Sequence, residues 1–296
     1  FDKTGGITSI DDPRTPGVIE SISVTNYSGG NPRVNPEKAD TWTAGAVIRP
    51  GFVPGLSLSA DYYDIRVKGA IARLGSQGVF NGCVIDAAPE LCALVSFDTA
   101  GQPTLIGDIF INVNQNRVRG LDVEANYTRP MNLTGGEGEA INLRLFANWL
   151  FENSQTLSNG TYIDRAGQTG IQQSDGFPYG LPKFKLTGNV TYTSGGFSFF
   201  TQARYIGSGT QENARPRDAA YNKVDSAFYL DLRLAQKVKF GTDSEVEIFG
   251  SVTNLTDRSP PVTPYYSNFY TRAIQFNSVL FDLLGRRFTV GMKFAL

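Results

Sequence analysis

The chain has 296 residues, with 27 Lys and Arg against 28 Asp and Glu for a net charge of -1, and 41% of it is hydrophobic, enough to fill one large domain or two ordinary ones. That balance leaves no basic field for nucleic acid, and no apolar run reaches the length of a membrane-spanning helix, which excludes a helical membrane protein. There is no histidine, so Ser-His and Cys-His catalysis, histidine metal sites and histidine haem ligation are absent from this segment.

The 32 Gly, 20 Phe and 13 Tyr favour strands and turns over helices. From Phe1 to about Asp40 the chain is loop-like, rich in Gly, Pro, Asn, Ser and Asp. Phe1 is not an initiator and no signal peptide precedes the strands, so the expectation is a C-terminal piece of a longer, already exported protein. Strands begin at Thr41 to Arg49, where Trp42, Ala44, Ala46 and Ile48 alternate with Thr43, Gly45 and Val47. After a short turn, Leu56, Leu58, Ala60 and Tyr62 alternate with Ser57, Ser59, Asp61 and Tyr63, a hairpin with one apolar face. The pattern slips by one near Asp64, which predicts a bulge or the strand's exit from the apolar zone.

A long loop, about Gly69 to Phe110, holds Cys83 and Cys92 in GCVIDAAPELC. Their spacing is unlike a zinc site, and a loop-closing disulfide made in an oxidising compartment is favoured over two free thiols. Strand returns over Asn112 to Arg129, with Leu121, Val123, Ala125 and Tyr127 opposite Asp122, Glu124 and Asn126. In Ala140 to Glu152, Ile141, Leu143, Leu145, Ala147, Trp149 and Phe151 face one way, and Asn142, Arg144, Asn148 and Glu152 the other. A long loop, Asn153 to Pro182, leads to a hairpin of Phe184 to Tyr192 and Phe197 to Tyr205 around Thr193 to Gly196. After the loop Gly207 to Ser226, strands run from Phe228 to Lys237 and from Val246 to Thr256 around a turn at Gly241 to Asp243. A last long loop, Asp257 to Arg286, precedes the terminal strand, where Phe288, Val290, Met292, Phe294 and Leu296 alternate with Thr289, Gly291, Lys293 and Ala295.

An antiparallel sheet on a soluble core gives the same alternation. Two regularities argue instead for a membrane barrel. The strands run about nine to thirteen residues, near the length of a tilted bilayer crossing, where sandwich strands are nearer five or six. Short and long connections also alternate strictly, as tight periplasmic turns alternate with extracellular loops. The fold class is therefore all-β, an antiparallel transmembrane β-barrel, with about nine strands in this chain. Residues 1–40 read as an extracellular loop region and residues 41–296 as barrel. Because bacterial barrels close on an even number, this piece is expected to be part of one, not the whole. Parity places Asp122, Glu124, Arg144, Lys185, Arg204, Asp231, Arg233, Glu247 and Lys293 on the polar face, since Lys or Arg at mid-membrane costs about 2–4 kcal/mol. A lumen carrying both signs is either a water-filled channel or a surface packed on a polar plug. Trp42, Tyr62, Tyr127, Trp149, Phe151, Tyr192, Tyr205 and Phe288, near strand ends, suit interfacial girdles.

NPRVNPEKADTWTAGAVIRP (Asn31 to Pro50), LSLSADYYDI (Leu56 to Ile65), VRGLDVEANYT (Val118 to Thr128), VTNLTDRSPP (Val252 to Pro261) and FDLLGRRFTVGMKFAL (Phe281 to Leu296) together resemble, in this order, the barrel of TonB-dependent outer-membrane receptors. The resemblance implies the later strands of a 22-stranded barrel, filled by the receptor's own N-terminal plug domain and energised through a TonB box by the inner-membrane TonB complex. It implies a Gram-negative outer membrane with its lipid and lipopolysaccharide, and import of a scarce ligand such as siderophore-bound iron, cobalamin or an oligosaccharide, with no cofactor. It also implies that the barrel-assembly machinery reads the last strand. The family often ends on an aromatic residue; here Phe288, Phe294 and the terminal Leu296 keep the apolar parity.

Candidate ligand contacts lie in the long loops: Arg215 and Arg217 in QENARPRD, and Tyr265, Tyr266, Tyr270 and Arg272 in PYYSNFYTR. Tyrosine faces can stack on sugars or siderophore rings, and arginines can clamp anionic groups. Solvated loop residues are the plainer alternative for each. Asp122 and Glu124 also fit an acid/base pair or a cation site, but polar barrel lining outweighs that reading. A passive porin or adhesin is the alternative to active import. An outer-membrane enzyme, which needs a nucleophile and a base, comes after it.

Overall fold

The computed structural model describes residues 4–14, 21–112, 115–156, 162–170, 180–211, 213, 222–240, 244–262 and 276–295. In chain order these form β1 (Thr4–Asp11), β2 (Ser21–Gly29), β3 (Lys38–Ile48), β4 (Leu56–Lys68), β5 (Ile71–Ala72), α1 (Gly75–Val84), α2 (Pro89–Cys92), β6 (Val95–Phe97), β7 (Pro103–Ile109), β8 (Ile111–Asn112) and β9 (Gln115–Pro130). There follow β10 (Ala140–Thr156), β11 (Tyr162–Asp164), β12 (Phe184–Ser194), β13 (Phe197–Ile206), β14 (Gly209–Thr210), β15 (Lys223–Val224), β16 (Ala227–Lys239), β17 (Glu245–Thr253) and β18 (Arg287–Ala295).

The long strands make one antiparallel wall in the order β3-β4-β9-β10-β12-β13-β16-β17-β18, a meander in which each strand pairs with its predecessor along the wall. Strand parity holds across the whole wall. One row joins Leu56, Tyr127, Leu143, Val190, Thr201, Leu232, Val252 and Phe288. Rows of the other parity are mainly polar, with Phe146, Phe200 and Phe249 among them: in one, Asn126, Arg144, Asn189, Gln202 and Asp231 stand side by side. On β18 the apolar residues Phe288, Val290, Met292 and Phe294 are 63–82% exposed. Side chains of that kind, bare along an entire face, suit a hydrocarbon solvent and not water.

Two local details depart from strict alternation. At Asp64 there is no bulge, for β4 keeps register with both neighbours through Lys68. The slip is the strand leaving its apolar zone, and the Asp64 carboxylate accepts from Arg117 Nε and Nη2 at 2.9 and 2.5 Å. The bulge sits instead on β10, where Leu150 faces Gly120 and Glu152 faces Arg119, leaving Phe151 unpaired. The extra residue puts Glu152 in the outward row with Arg119 and Asp64, not on the lumenal face that alternation assigns it.

The stretches read as loops, 1–40 and Gly69 to Phe110, contain more structure than their composition announces. β1 and β2 form a hairpin, β2 runs parallel to β7, and β6 closes a four-stranded sheet, with α1 packed on it. The core is Ile10, Val24, Leu74, Val79, Phe80, Leu91 and Ile106, each no more than 4% exposed. A disulfide joins Cys83 of α1 to Cys92 of α2, with Cα atoms 4.5 Å apart. The start of α1 has no cap from its own N-cap residue; Asp108 of β7 accepts from the Gly75 amide at 3.1 Å and pairs with Arg73. At the far edge, Asp12 grips Arg14, whose guanidinium lies 5.5 Å from the Phe80 ring centre. That bidentate pairing holds the buried Asp12 carboxyl below the usual carboxylate range, against the opposite pull of burial. This unit grows from the β4–β9 connection and the segment before β3, both on the long-connection side of the wall.

Candidate lumenal wall and loop junction

The lumenal face is built by the polar parity of β4, β9, β10, β12, β13, β16, β17 and β18. Its charges are matched across strands. Glu124 Oε1 accepts from Asn126 and from Arg144 Nε, both at 2.8 Å. Arg204 reaches Asp231 at 3.4 Å and lies 5.4 Å from the Tyr229 ring centre. Arg233 pairs with Glu247 at 2.5 Å and lies 4.7 Å from the Phe249 ring, and Lys293 stands opposite Glu247 in register. Asp122 faces Asp61 on one side and Asn148 on the other; the Asn148 amide donates to Asp122 at 2.6 Å, and Lys185 follows in the same row. The carboxylates of Asp122, Glu124, Asp231 and Glu247 are thus each tied to an amide or a cation on a neighbouring strand. The face presents these groups as strand-to-strand pairs.

Above the wall, three long connections are tied together. Asn277 is 3% exposed and donates to the carbonyls of Thr169 and Gly170 at 3.1 and 3.2 Å. Asn213 donates to the carbonyls of Asp164 and Ala166 at 3.1 and 2.9 Å, and Thr169 N donates to Thr210 O at 2.9 Å. A second tie fixes the last connection to the wall. Asn254, fully buried with φ 52°, donates its backbone N–H to Asp231 at 2.8 Å and its side-chain amide to Asp282 at 3.2 Å. Asp282 N donates to the hydroxyl of the fully buried Tyr229 at 3.2 Å. Burial pushes the Asp282 carboxyl up, but the Leu284 amide, Arg287 and Asn254 outweigh it and hold the group below its ordinary value.

The expected loop contacts Arg215, Arg217, Tyr265, Tyr266, Tyr270 and Arg272 lie outside the described residues, as does Leu296. The lumenal residues Asp122, Glu124, Arg144, Arg204, Asp231, Arg233 and Lys293 share the polar parity and form several linked pairs, not one cluster. Phe288 and Phe294 occupy the outward face of β18. Sequence reading missed Tyr229, Asn254, Asp282 and Asn277. Only Tyr229 left a signal, a large aromatic at an inward position between Phe228 and Leu230.

Residues 13–255 match the family described as TonB dependent receptor-like, beta-barrel. Among solved structures, the ferric enterobactin receptor PfeA of Pseudomonas aeruginosa in complex with BCV-L6 is 13% identical with a TM-score of 0.53, over 92% of this chain and 33% of that one. The siderophore receptor PirA of Acinetobacter baumannii is 12% identical with a TM-score of 0.52, over 93% and 34%. The FrpB iron transporter of Neisseria meningitidis is 13% identical with a TM-score of 0.51, over 90% and 32%. At these identities the likeness is one of fold, and the chain spans about a third of each solved receptor. No curated protein matches the chain. With the family match covering most of the sequence and the wall's parity agreeing, the chain belongs to the TonB-dependent receptor β-barrel family of the Gram-negative outer membrane.

Proposed function

We propose that this chain forms the later strands of a receptor that imports a scarce ligand across the outer membrane with energy from the TonB complex. The observation that carries this reading is the lumenal face itself: ionised side chains paired strand to strand, as on Arg144–Glu124 and Arg233–Glu247, present a fixed, mixed-charge surface. Such a surface fits a folded polar plug, the receptor's own, better than a stream of ions of one sign. The long connections knotted by Asn213 and Asn277 form the outer end, and the segments carrying Arg215, Arg217, Tyr265, Tyr266, Tyr270 and Arg272 adjoin that knot in sequence. Ligand capture is assigned to those segments, with siderophore-bound iron, cobalamin and oligosaccharides as the candidate classes. A passive porin or adhesin is the second reading.

The test is growth and labelled-ligand uptake by cells carrying the whole receptor, with and without the inner-membrane TonB complex. Import that stops when the complex is removed is the expected outcome. Uptake that persists without it, together with steady ohmic conductance of the purified protein in planar bilayers, would replace import by passive diffusion.

A further inference from the structure

The small sheet of β1, β2, β7 and β6 uses one of its two faces for the core. Ile10, Val24 and Ile106 point to the side on which α1 and α2 pack, and Val67 of β4 closes on that same cluster. Alternation puts Ile7 and Ser9 of β1, Ser23, Thr25 and Tyr27 of β2 and Leu105 of β7 on the other side. That face is largely bare: Ile7 is 84% exposed, Ser9, Ser23 and Thr25 are exposed, and Tyr27 is half-buried.

Strand register sets the rows of this face. Tyr27 stands between Gly5 and Gly107, Thr25 between Ile7 and Leu105, and Ser23 opposite Ser9. With a glycine on each side, the Tyr27 ring has no side chain of its own height beside it. The ring settles across Gly107, where a Cβ would come 2.5 Å from the Tyr27 hydroxyl oxygen and 2.6 Å from Cζ. The rows that follow, ~7 Å apart along the strands, carry hydroxyls in place of a ring. Ser9 Oγ lies 2.5 Å from Ser21 Oγ, and each hydroxyl keeps further capacity to accept. Asp11 is the only charged residue of this parity among the described residues of β1, β2 and β7.

We propose that this open face of the small sheet binds a neutral polysaccharide free in the medium, with Tyr27 stacked on a sugar ring and Thr25, Ser23 and Ser9 bonding hydroxyls of the next ones. Charge selects the ligand first. No cation of this parity stands ready for a phosphate or carboxylate, and Asp11 at the end of β1 is a single anion. Size argues against a protein, whose interface takes about 20–30 residues a side around a buried apolar anchor. Ile7 is the one large aliphatic side chain exposed on these three strands. A sugar presents apolar C–H groups on its ring face and hydroxyls around its edge, which an aromatic ring followed by rows of hydroxyls complements. Position selects the source. The unit stands on the long-connection side of the wall, and the open face points away from Val67 and so from the wall that borders lipid. A free polymer reaches it from outside. The site is separate from the capture segments, and the inference does not rest on the import reading.

The test is affinity electrophoresis of the whole receptor in detergent, through gels holding soluble starch, a linear β-glucan, a mannan or a galactan. Polygalacturonate serves as the charged control, and the cell's own purified surface polysaccharide as the second control. At least one neutral polymer is expected to retard the receptor. Tyr27→Ala should weaken that binding about tenfold, and Tyr27→Phe, which keeps the ring, should retain most of it. Ser23→Ala should cost about fivefold, the loss of one hydrogen bond. Unchanged hydrogen-exchange protection of β2 and an intact Cys83–Cys92 disulfide show that each variant is folded. Retardation by none of the neutral polymers overturns the proposal, as does equal retardation of folded Tyr27→Ala and wild type. Stronger binding to polygalacturonate or to the cell's own polysaccharide than to every neutral polymer overturns it too. Tyr27→Ala is expected to keep its TonB-dependent uptake, and a receptor that binds polymer without importing would sink the transport reading alone.

Discussion

Glu152 meets the outside of the wall because one extra residue, Phe151, enters β10 without a partner. Its Oε1 accepts from Ser154 at 2.6 Å and from the Tyr162 hydroxyl at 3.0 Å, and its Oε2 lies 2.8 Å from Arg119. Removing one member of a buried charge cluster leaves the others uncompensated, a loss of about 3–5 kcal/mol. Glu152→Ala is therefore expected to lower the temperature at which the barrel loses its folded gel mobility well beyond Glu245→Ala, whose exposed pair with Lys237 is worth at most about 1 kcal/mol. A similar fall in both would mean that the cluster adds no stability. Nothing in the sequence marked this residue: an unbroken apolar/polar alternation runs through Phe151 and Glu152, and a bulge without glycine is invisible to it. Asp12 gives a pH test at the same scale. Its folded pKa lies below the ordinary value, so the stabilisation it provides is complete above about pH 4 and fades as pH falls through the lower, folded value. Hydrogen exchange of β1 and β2 should accelerate in that acid window. In Arg14→Gln, which removes the main cause of the lowering, protection should be weaker at neutral pH and change less on acidification.

β18 is the element in which pattern and solvent agree most plainly. Val290 is 82% exposed and stands opposite Gly250, while its neighbour Thr289 faces Ser251 on the lumenal parity. Lysine at the first position enters hydrocarbon and at the second enters the lumen. Val290→Lys should therefore destabilise the whole receptor in lipid vesicles by about 2–4 kcal/mol, and Thr289→Lys by little. Urea unfolding of both variants measures the difference, and equal losses would reverse the assignment of faces. The same solvent explains why the wall was legible. A bilayer on one side and polar groups on the other force period two on every long strand, and nine of them could be read to within a few residues. Their ends were less legible: β10 continues to Thr156, beyond Glu152, because past the bilayer no alternation is imposed. The small unit was hidden for the opposite reason. α1 carries Gly75, Gly78 and Gly82, and β1 carries Gly5 and Gly6, so local propensity argues against both. Burial of Phe80, Leu91 and Ile106 against each other overrides it, and that burial exists only once distant segments meet.

At the scale of the whole molecule, the long connections are not separate loops. Asn277 holds the connection between β17 and β18 to the one between β10 and β12, and its own carbonyl Oδ1 accepts from Val279 and Leu280 at 3.0 and 3.3 Å. Every polar atom of that side chain is thus committed inside a contact that is 3% exposed. Asn277→Ala leaves two carbonyls and two amides without partners, a cost of about 1–3 kcal/mol to the closed arrangement. An opening equilibrium shifted by that amount raises the open population roughly 5- to 150-fold. The increase should appear in both connections together, as faster limited proteolysis within 165–182 and within 257–286 of the whole receptor, while Lys223→Ala, exposed on β15, leaves both unchanged. Cleavage that accelerates in the 257–286 segment alone would show that the connections open independently. Coupled opening would mean that a ligand gripping one segment orders the others, because the ordering cost is then met once for the whole outer end.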